Sequence, residues 1–179
     1  MAPTDAWSHN WLDAKGGPMM SRRMTLLGLG GALAGMRALF AAAPAHAARA
    51  YEVTHSDAEW RKLLRPEQYE VLRKAGTERP YSSPLNKEKR AGTFTCVGCA
   101  LPLFSSKAKF ESGTGWPSFW QPLEKSAVDE ETDTTFGMRR TEVLCHRCGG
   151  HLGHVFEDGP KPTGLRYCMN GVALNFTPA

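Results

Sequence analysis

The spacing of hydrophobic and polar residues changes near residue 92, and the two sides of that point predict different structure. On the N-terminal side, Ser56 and Glu59 form the capping-box pattern that opens a short helix. Pro66 suits the first turn of a second helix, and Gly76 is the residue expected to end it. Residues 77–90 are rich in proline and lysine and are expected to be irregular.

From Gly92 onward, short apolar and β-branched runs alternate with turn residues, which is typical of antiparallel strands. The predicted strands are Thr93–Thr95, Ala127–Asp129, Thr134–Arg140, Glu142–Leu144, Leu152–Phe156, Leu165–Asn170 and Ala173–Phe176. The acidic residues at 129 to 133 are expected to form a solvated turn. The pattern therefore predicts a mainly β domain with short helices at its front.

An earlier segment does not fit this pattern. Residues 26–43 read LLGLGGALAGMRALFAAA, with Ser21-Arg22-Arg23 just before them and Ala45-His46-Ala47 just after. A charged stretch, an apolar stretch and an A-x-A site together indicate a secretory signal. The paired arginines favour the twin-arginine export route. An uncleaved anchor and a disordered Ala/Gly arm are the alternatives.

Removal of this signal divides the chain into an export region, 1–47, and a single domain, 48–179, with Met19 or Met20 as a candidate true start. The whole chain carries 22 Lys and Arg against 18 Asp and Glu, a net charge of +4, which is too small and too scattered to favour nucleic acid. We therefore expect a periplasmic protein, or a cytoplasmic one if the signal is non-functional. No nucleic-acid partner and no stable membrane association after cleavage are expected.

Four of the five cysteines form two C-x-x-C pairs, which are Cys96 with Cys99 and Cys145 with Cys148. Two such turns can supply four thiolates in a tetrahedron, the arrangement that structural zinc takes. The glycines at 98, 149 and 150 fit the tight, left-handed geometry of such turns. Two disulfides, one redox-active dithiol, and plain core cysteines remain the alternatives.

Cys168 is the unpaired fifth cysteine, and its neighbours favour chemistry over packing. In a strand, Arg166, Cys168 and Asn170 share one face, while Tyr167 and Met169 share the other. A cation, a thiol and an amide on one face are unusual for a core, and a guanidinium beside a thiol favours its thiolate. A reactive thiol is therefore predicted, with a buried small hydrophobe as the alternative.

Two further segments carry candidate site residues. His151 and His154 follow the second C-x-x-C turn, and His154 would share a strand face with Phe156. A histidine anchored there could act as a general acid near neutral pH. In the segment SGTGWPSFW, two glycines and a proline force a tight loop, and Trp116 at its bend could line a pocket for a small apolar group. Phe119 and Trp120 are expected in the core.

These motifs together resemble a family. The stretch from roughly Tyr69 to Phe176 is similar to methionine sulfoxide reductases of the B type at GTERPYSSPLN, both C-x-x-C turns, SGTGWPSFW, HLGHVFEDGP and GLRYCMN. The order and spacing of the motifs agree across nearly the whole predicted domain. The joint occurrence of GWPSF, HLGHVF and RYCMN makes the resemblance specific.

The resemblance implies reduction of methionine-R-sulfoxide in peptides and proteins by an external thiol, and a fold of two antiparallel sheets in a tent-like barrel. The nucleophile falls on Cys168, the proposed acid on His154 with His151 beside it, and the orienting amide on Asn170. The substrate-binding positions fall on Trp116, Arg166 and Phe156. The ligands of one structural zinc ion fall on Cys96, Cys99, Cys145 and Cys148.

The sequence departs from the family at one position. Many members carry a resolving cysteine where this chain has Thr114. We therefore expect a one-cysteine mechanism, in which a thioredoxin-like or other thiol reductant acts directly on the sulfenic acid of Cys168.

Two other classes of function were weighed. A zinc-ribbon binding module would use the same C-x-x-C turns, but it would not need a cation, a thiol and an amide on one strand face. A zinc hydrolase or deaminase needs an open metal position, whereas four cysteines close the site.

Overall fold

The computed structural model describes residues 49–179. The predicted export signal over residues 1–47 lies outside the described residues and stays a prediction. Among residues 49–179, no helix combines the length and the apolar character that a membrane crossing requires.

The first predicted helix is confirmed as α1, Asp57–Leu63. The Ser56 hydroxyl accepts the Glu59 backbone N–H at 3.3 Å, and the Glu59 carboxylate accepts the Ser56 N–H at 2.8 Å. This reciprocal pair satisfies two backbone donors at the helix start, as the capping box predicts. Trp60 is the buried residue of α1 and joins the core.

The second helix is α2, Pro66–Lys74. The helix ends at Lys74, ahead of the expected stop at Gly76, and the residue in the left-handed capping conformation is Ala75, with φ of 52°. Gly76 serves a different purpose. A Cβ atom at this position would lie 2.9 Å from the Glu70 carbonyl oxygen, so only glycine allows the close approach.

Nine short strands follow and form two antiparallel sheets, as expected. They are β1 Gly92–Cys96, β2 Pro102–Ser105, β3 Lys109–Phe110, β4 Ser118–Phe119, β5 Val128–Asp133, β6 Arg140–Cys145, β7 His151–Phe156, β8 Arg166–Met169 and β9 Leu174–Pro178. One sheet has the order β2-β1-β9, and the other has the order β3-β4-β8-β7-β6-β5. The sequence pattern missed β2, β3 and β4, which have only two to four residues each.

The acidic segment at 129 to 133 is strand β5 and not the solvated turn that its charge indicated. It pairs with β6 along its whole length. Its carboxylates have partners, since Asp129 binds Arg49 at 2.6 Å and Glu130 accepts the Tyr167 hydroxyl at 2.8 Å. Paired in this way, acidic side chains are compatible with a strand.

Residues 134–139 form a turn and not the strand predicted over Thr134–Arg140, and Arg140 begins β6. The segment contains a single 3₁₀ turn, Thr135–Gly137. Asp133 fixes this turn, because its Oδ1 atom accepts the Thr135 backbone N–H at 2.8 Å and the Thr135 hydroxyl at 2.7 Å. A side-chain bond of this kind competes with strand pairing.

Aromatic side chains from both sheets form the centre of the core. Phe104 of β2 stacks on Phe119 of β4 with 4.4 Å between ring centroids, and Phe94 of β1 meets Phe119 edge-on at 4.9 Å. The core prediction for Phe119 is confirmed, while Trp120 is half-buried against the same cluster. This packing anchors β4, and with it the loop that precedes β4.

Candidate active site and metal centre

The four paired cysteines converge on one point. Their sulfur atoms all lie within 4.8 Å of one another, with Cys96 and Cys148 at 3.7 Å and Cys99 and Cys145 at 3.5 Å. These separations far exceed a disulfide bond of about 2.05 Å. They match the edge of a zinc tetrahedron, about 3.8 Å for Zn–S bonds of about 2.3 Å. The cluster therefore fits a four-thiolate metal centre that joins β1 of one sheet to β6 of the other.

The glycines around this centre have two different purposes. Gly149 is left-handed as expected, with φ of 66°, but the left-handed residue of the first turn is Ala100 with φ of 57°. Gly98 and Gly150 do not have positive φ. A Cβ atom on either would lie 3.0 to 3.1 Å from the Leu72 side chain. Gly98 and Gly150 therefore leave room for α2 to pack on the two C-x-x-C turns.

Cys168 lies apart from the metal cluster in the fold, on the inner strand β8. It pairs with Ser118 of β4 on one side and with His154 of β7 on the other. The alternation predicted for this strand is confirmed, because Tyr167 and Met169 are 5% and 0% exposed whereas Cys168 is half-buried. The thiol therefore faces the open side of the sheet beside a histidine.

The two histidines share one side of β7 because the β6–β7 ladder is irregular. Val143 pairs with Gly153 and Leu144 with His151, so β7 carries one extra residue there. Residues three apart face opposite ways in a regular strand, but this bulge brings them to one side. The rings of His151 and His154 lie 5.4 Å apart between centroids.

Each histidine is held by a carboxylate from the same sheet, His151 by Glu142 of the adjacent strand β6 and His154 by Asp133 of β5, the strand beyond β6. Glu142 Oε1 lies 2.5 Å from His151 Nδ1, and Asp133 Oδ2 lies 2.9 Å from His154 Nε2. His151 is 3% exposed, and its Nε2 atom is buried with no hydrogen-bond partner among the described residues. Burial lowers the pKa of His154, and the hydrogen bond to Asp133 opposes that shift. His151 therefore binds its carboxylate through Nδ1 and leaves Nε2 free, whereas His154 binds through Nε2 and leaves Nδ1 free.

Asn170 and Trp116 are tied together by Glu78. The Asn170 amide oxygen accepts the Glu78 N–H at 2.9 Å, and its amide nitrogen donates to the Leu152 carbonyl at 3.1 Å. The Trp116 indole N–H donates to the Glu78 carbonyl at 3.1 Å. One amide hydrogen of Asn170 stays available, and the half-buried indole has a fixed orientation.

The Glu78 carboxylate itself binds the chain after β8. It accepts the Gly171 N–H at 2.6 Å and the Val172 N–H at 2.9 Å. Burial raises the pKa of Glu78, although these two hydrogen bonds oppose the shift. Glu78 therefore connects the irregular segment after α2 to both Trp116 and Asn170.

Arg166 is fixed by two contacts. Its guanidinium makes a bidentate pair with Asp158, with both distances 2.8 Å, and lies 4.4 Å from the centre of the Phe156 ring. The hydrogen bonds to Asp158 raise the pKa of Arg166, and its interaction with Cys168 adds to the shift. Arg166 is thus a permanent cation on the strand of the thiol.

The loop before β4 brings Thr114 to the thiol. The Thr114 hydroxyl lies 3.8 Å from Cys168 Sγ and 2.8 Å from the Ser112 hydroxyl, which in turn contacts Ser118 Oγ at 2.7 Å. Tyr81 holds this loop from outside, through bonds to the Gly113 and Gly115 carbonyls. A threonine therefore stands beside the thiol.

The structure places the predicted site residues in two groups, the four clustered cysteines and the residues on β7, β8, the chain directly after β8 and the loop before β4, and it adds four residues that sequence reasoning missed. The added residues are acidic and hold predicted residues in place, Glu78 through its backbone and Asp133, Glu142 and Asp158 through their carboxylates. Glu78 and Asp158 lie within the motifs GTERP and FEDGP, which was an available signal. No sequence signal pointed to Asp133 or Glu142, because strand pairing decides which histidine each one contacts.

Comparison with known proteins gives consistent matches over this region. The family described as the SelR domain matches residues 64–178. A peptide methionine sulfoxide reductase MsrB of Leptospira interrogans is 56% identical over 126 residues, covering 70% of this chain and 96% of the relative. The protein of the same name from Pseudomonas putida strain W619 is 62% identical, covering 67% of this chain and 90% of the relative. A third protein of this name, from Methanosarcina barkeri, is 58% identical, covering 69% of this chain and 87% of the relative.

Proposed function

The chain belongs to the SelR-domain family of peptide methionine sulfoxide reductases, and on that basis we propose that it reduces methionine-R-sulfoxide in peptides and proteins to methionine. The observation that carries the proposal is the position of Cys168. It is the cysteine outside the metal cluster, it is half-buried on an inner strand, and it pairs with His154 across the ladder.

The proposed reaction balances without another oxidant. The Cys168 thiolate attacks the sulfoxide sulfur while a proton is delivered to the sulfoxide oxygen. The attack forms a bond between the two sulfur atoms. That S–S bond and the S–O bond of the substrate then break as the protonated oxygen passes to the Cys168 sulfur, which becomes a sulfenic acid. The substrate sulfur gains two electrons to become the thioether of methionine, and the cysteine sulfur loses two.

His154 is the proposed acid, because it pairs with Cys168 across the ladder and an imidazolium can donate a proton to an oxygen that gains charge. His151 and Asn170 are proposed to orient the sulfoxide oxygen. The buried Nε2 atom of His151 has no partner among the described residues, and Asn170 keeps one amide hydrogen. Polar groups left in this way favour a bound polar atom.

The remaining three residues are proposed to bind the substrate. Trp116, fixed by its bond to Glu78, would cover the methyl group of the sulfoxide. Arg166 would supply positive charge on the strand of Cys168, and its guanidinium is held 4.4 Å from the centre of the Phe156 ring. With Trp116 on the methyl group and His151 and Asn170 on the oxygen, the site would accept one of the two epimers at sulfur, because the other epimer exchanges the positions of these two groups.

The reductant is proposed to be an external thiol, such as that of a thioredoxin-like protein. Thr114 stands 3.8 Å from Cys168 Sγ, and the other four cysteines converge on the metal centre. The loop residue beside Cys168 is therefore a threonine, and it supplies no thiol that could resolve the sulfenic acid.

The metal is proposed to be one structural zinc ion held by the four clustered cysteines. Four thiolates fill a tetrahedral coordination shell and leave no position for substrate. When bound, zinc supplies cross-linking free energy between the two sheets and no chemistry in the reaction.

Export is proposed from the sequence pattern at residues 21–47. Conversion of both Arg22 and Arg23 to Lys should retain the protein in the cytoplasm of a host that has the twin-arginine route, whereas the wild type should reach the periplasm. Arg37→Lys is the matched control, because it changes an arginine outside the pair. Equal export of the double variant and the wild type would refute this route.

The activity test uses one peptide that carries methionine sulfoxide as the separate R and S epimers, with dithiothreitol as reductant and zinc measured in the same sample. Reduction of the R epimer alone by the zinc-loaded protein is the expected result. Absence of turnover by zinc-loaded protein would favour the zinc-ribbon binding module, which the family match does not favour.

A further inference from the structure

Asp133 holds the histidine that pairs with Cys168. Its Oδ2 atom lies 2.9 Å from His154 Nε2, and the two side chains are only 10% and 13% exposed. In the sheet order, β5 and β8 lie on opposite sides of β7. His154 Nε2 is therefore bonded to Asp133 on the side of β7 that faces away from β8, the strand that carries Cys168.

The Asp133 carboxylate is itself held in one state. Its Oδ1 atom accepts two hydrogen bonds from Thr135, and its Oδ2 atom also receives Arg140 Nη2 at 2.6 Å. These contacts, those to Thr135 first, hold the pKa of Asp133 well below its usual range. An ionised carboxylate can only accept hydrogen bonds, so His154 Nε2 must carry a hydrogen atom.

The proton that His154 gains or loses is therefore on Nδ1. In the neutral ring, Nε2–H donates to Asp133 and Nδ1 is an acceptor. In the imidazolium, Nδ1–H is a donor, and the negative charge of Asp133 stabilises the ring. Among the described residues the hydrogen bond of the His154 ring is made by Nε2, which leaves Nδ1 as the nitrogen open to a substrate.

We infer that Asp133 is a positioning residue of the proposed reaction, which fixes His154 through Nε2–H and thereby makes Nδ1 the atom that delivers the proton to the sulfoxide oxygen. The inference rests on the proposed function and deepens it. In the step, imidazolium Nδ1–H transfers its proton to the oxygen as Cys168 attacks sulfur, and the ring becomes neutral while Nε2–H stays on Asp133.

Other charged or titratable groups lie around His154. Arg140 and His151 act on its titration, Glu142 of β6 and Cys168 of β8 are its cross-strand partners, and Arg166 lies two residues from Cys168 on β8. Arg140 and His151 disfavour the imidazolium, and Asp133 is the group bonded directly to the ring. A test must therefore change Asp133 and leave these groups in place.

Asp133→Asn is the informative substitution, because the amide oxygen can still accept from Nε2–H while the charge is removed. We expect the NMR titration of His154 to shift to lower pH by about one unit. The basic limb of the kcat–pH profile with the R-sulfoxide peptide should move in the same direction, because less imidazolium remains at each pH. Asp133→Ala should add a mixture of Nδ1–H and Nε2–H tautomers, visible in the ¹⁵N shifts of the ring.

Glu131→Gln is the matched control, since it removes a carboxylate from the same strand at an exposed position. In Glu131→Gln, the NMR titration of His154 and the basic limb of the kcat–pH profile should both match those of the wild type. An unchanged His154 titration and an unmoved basic limb in Asp133→Asn would overturn the inference. The NMR titration needs no turnover, so it still tests the Asp133–His154 pair if the wild type fails to reduce the peptide. If Asp133→Ala does not fold, Asp133→Asn alone carries the test.

Discussion

His154 is the cross-strand partner of Cys168 in the β7–β8 ladder, and no side chain stands between the two positions in that register. The pairing depends on a close approach of the two strands. A Cβ atom on Gly153 would lie 2.1 Å from the Cys168 carbonyl oxygen, so glycine is required beside the histidine. Nucleophile and candidate acid are therefore fixed by backbone hydrogen bonds and not by a flexible loop.

Cys168→Ser should abolish turnover and leave the fold intact. Serine is nearly isosteric with cysteine, but its hydroxyl is a far weaker nucleophile near neutral pH. Single-turnover assays of sulfoxide reduction, with circular dichroism and zinc content as folding controls, test this. Turnover close to that of the wild type would rule out Cys168 as the nucleophile.

Thr114→Cys should convert the protein to a two-cysteine mechanism. The Thr114 hydroxyl is 3.8 Å from Cys168 Sγ, so a shift of about 2 Å brings a thiol to disulfide distance. After one turnover without reductant, mass spectrometry should find a disulfide between the introduced thiol and Cys168 in the variant, and a sulfenic acid in the wild type. Thr114→Ser is the control. A wild-type disulfide at Cys168 would contradict the proposed one-cysteine mechanism.

Glu78→Gln should raise the KM for the peptide and lower stability. The carboxylate accepts from two backbone N–H groups, whereas an amide has one acceptor oxygen, so one N–H loses its partner at a cost of about 1–3 kcal/mol. Trp116 and Asn170, which both bond to the Glu78 backbone, should shift as a result. Steady-state kinetics and urea unfolding measure the two effects.

The pH dependence of this variant has a definite sign. Burial raises the pKa of Glu78 in the folded protein above its value of about 4.5 in the unfolded chain, so the folded state holds the proton more tightly. The wild type therefore loses stability as the pH rises from about 4.5 through the raised pKa, and the glutamine variant lacks this loss. The stability difference between wild type and variant should be larger below that window than above it.

Removal of the metal should unfold the junction of the two sheets. The four cysteines come from the ends of β1 and β6 and from the turns that follow. Loss of a filled four-thiolate site should cost at least about 3 kcal/mol, or roughly 10 °C in the unfolding temperature. Calorimetry with and without a chelator tests this, and the number of thiols accessible to a thiol reagent should rise in parallel. An unchanged melting temperature after verified zinc loss would show that packing alone holds the junction.

Local rules predicted the parts of this fold that depend on near neighbours in sequence. The capping box at Ser56 and the alternation along β8 were correct, because both depend on residues within a few positions. The two C-x-x-C pairs indicated a shared metal site for the same reason. The start of β5 was predicted within Ala127–Asp129, but its acidic remainder was taken for a turn, since the partners of its side chains, such as Arg49 and Tyr167, lie far away in sequence.

The motifs thus identified the candidate reactive groups, namely the lone thiol, its cation and amide, two histidines and four paired thiols. How these groups are held depends on the folded sheet. An extra residue in β7 turns His151 and His154 to one side, and strand pairing sets Asp133 and Glu142 behind them. This difference arises because a ladder register is a cooperative property of the whole sheet, whereas a motif reports the chemistry of its own residues.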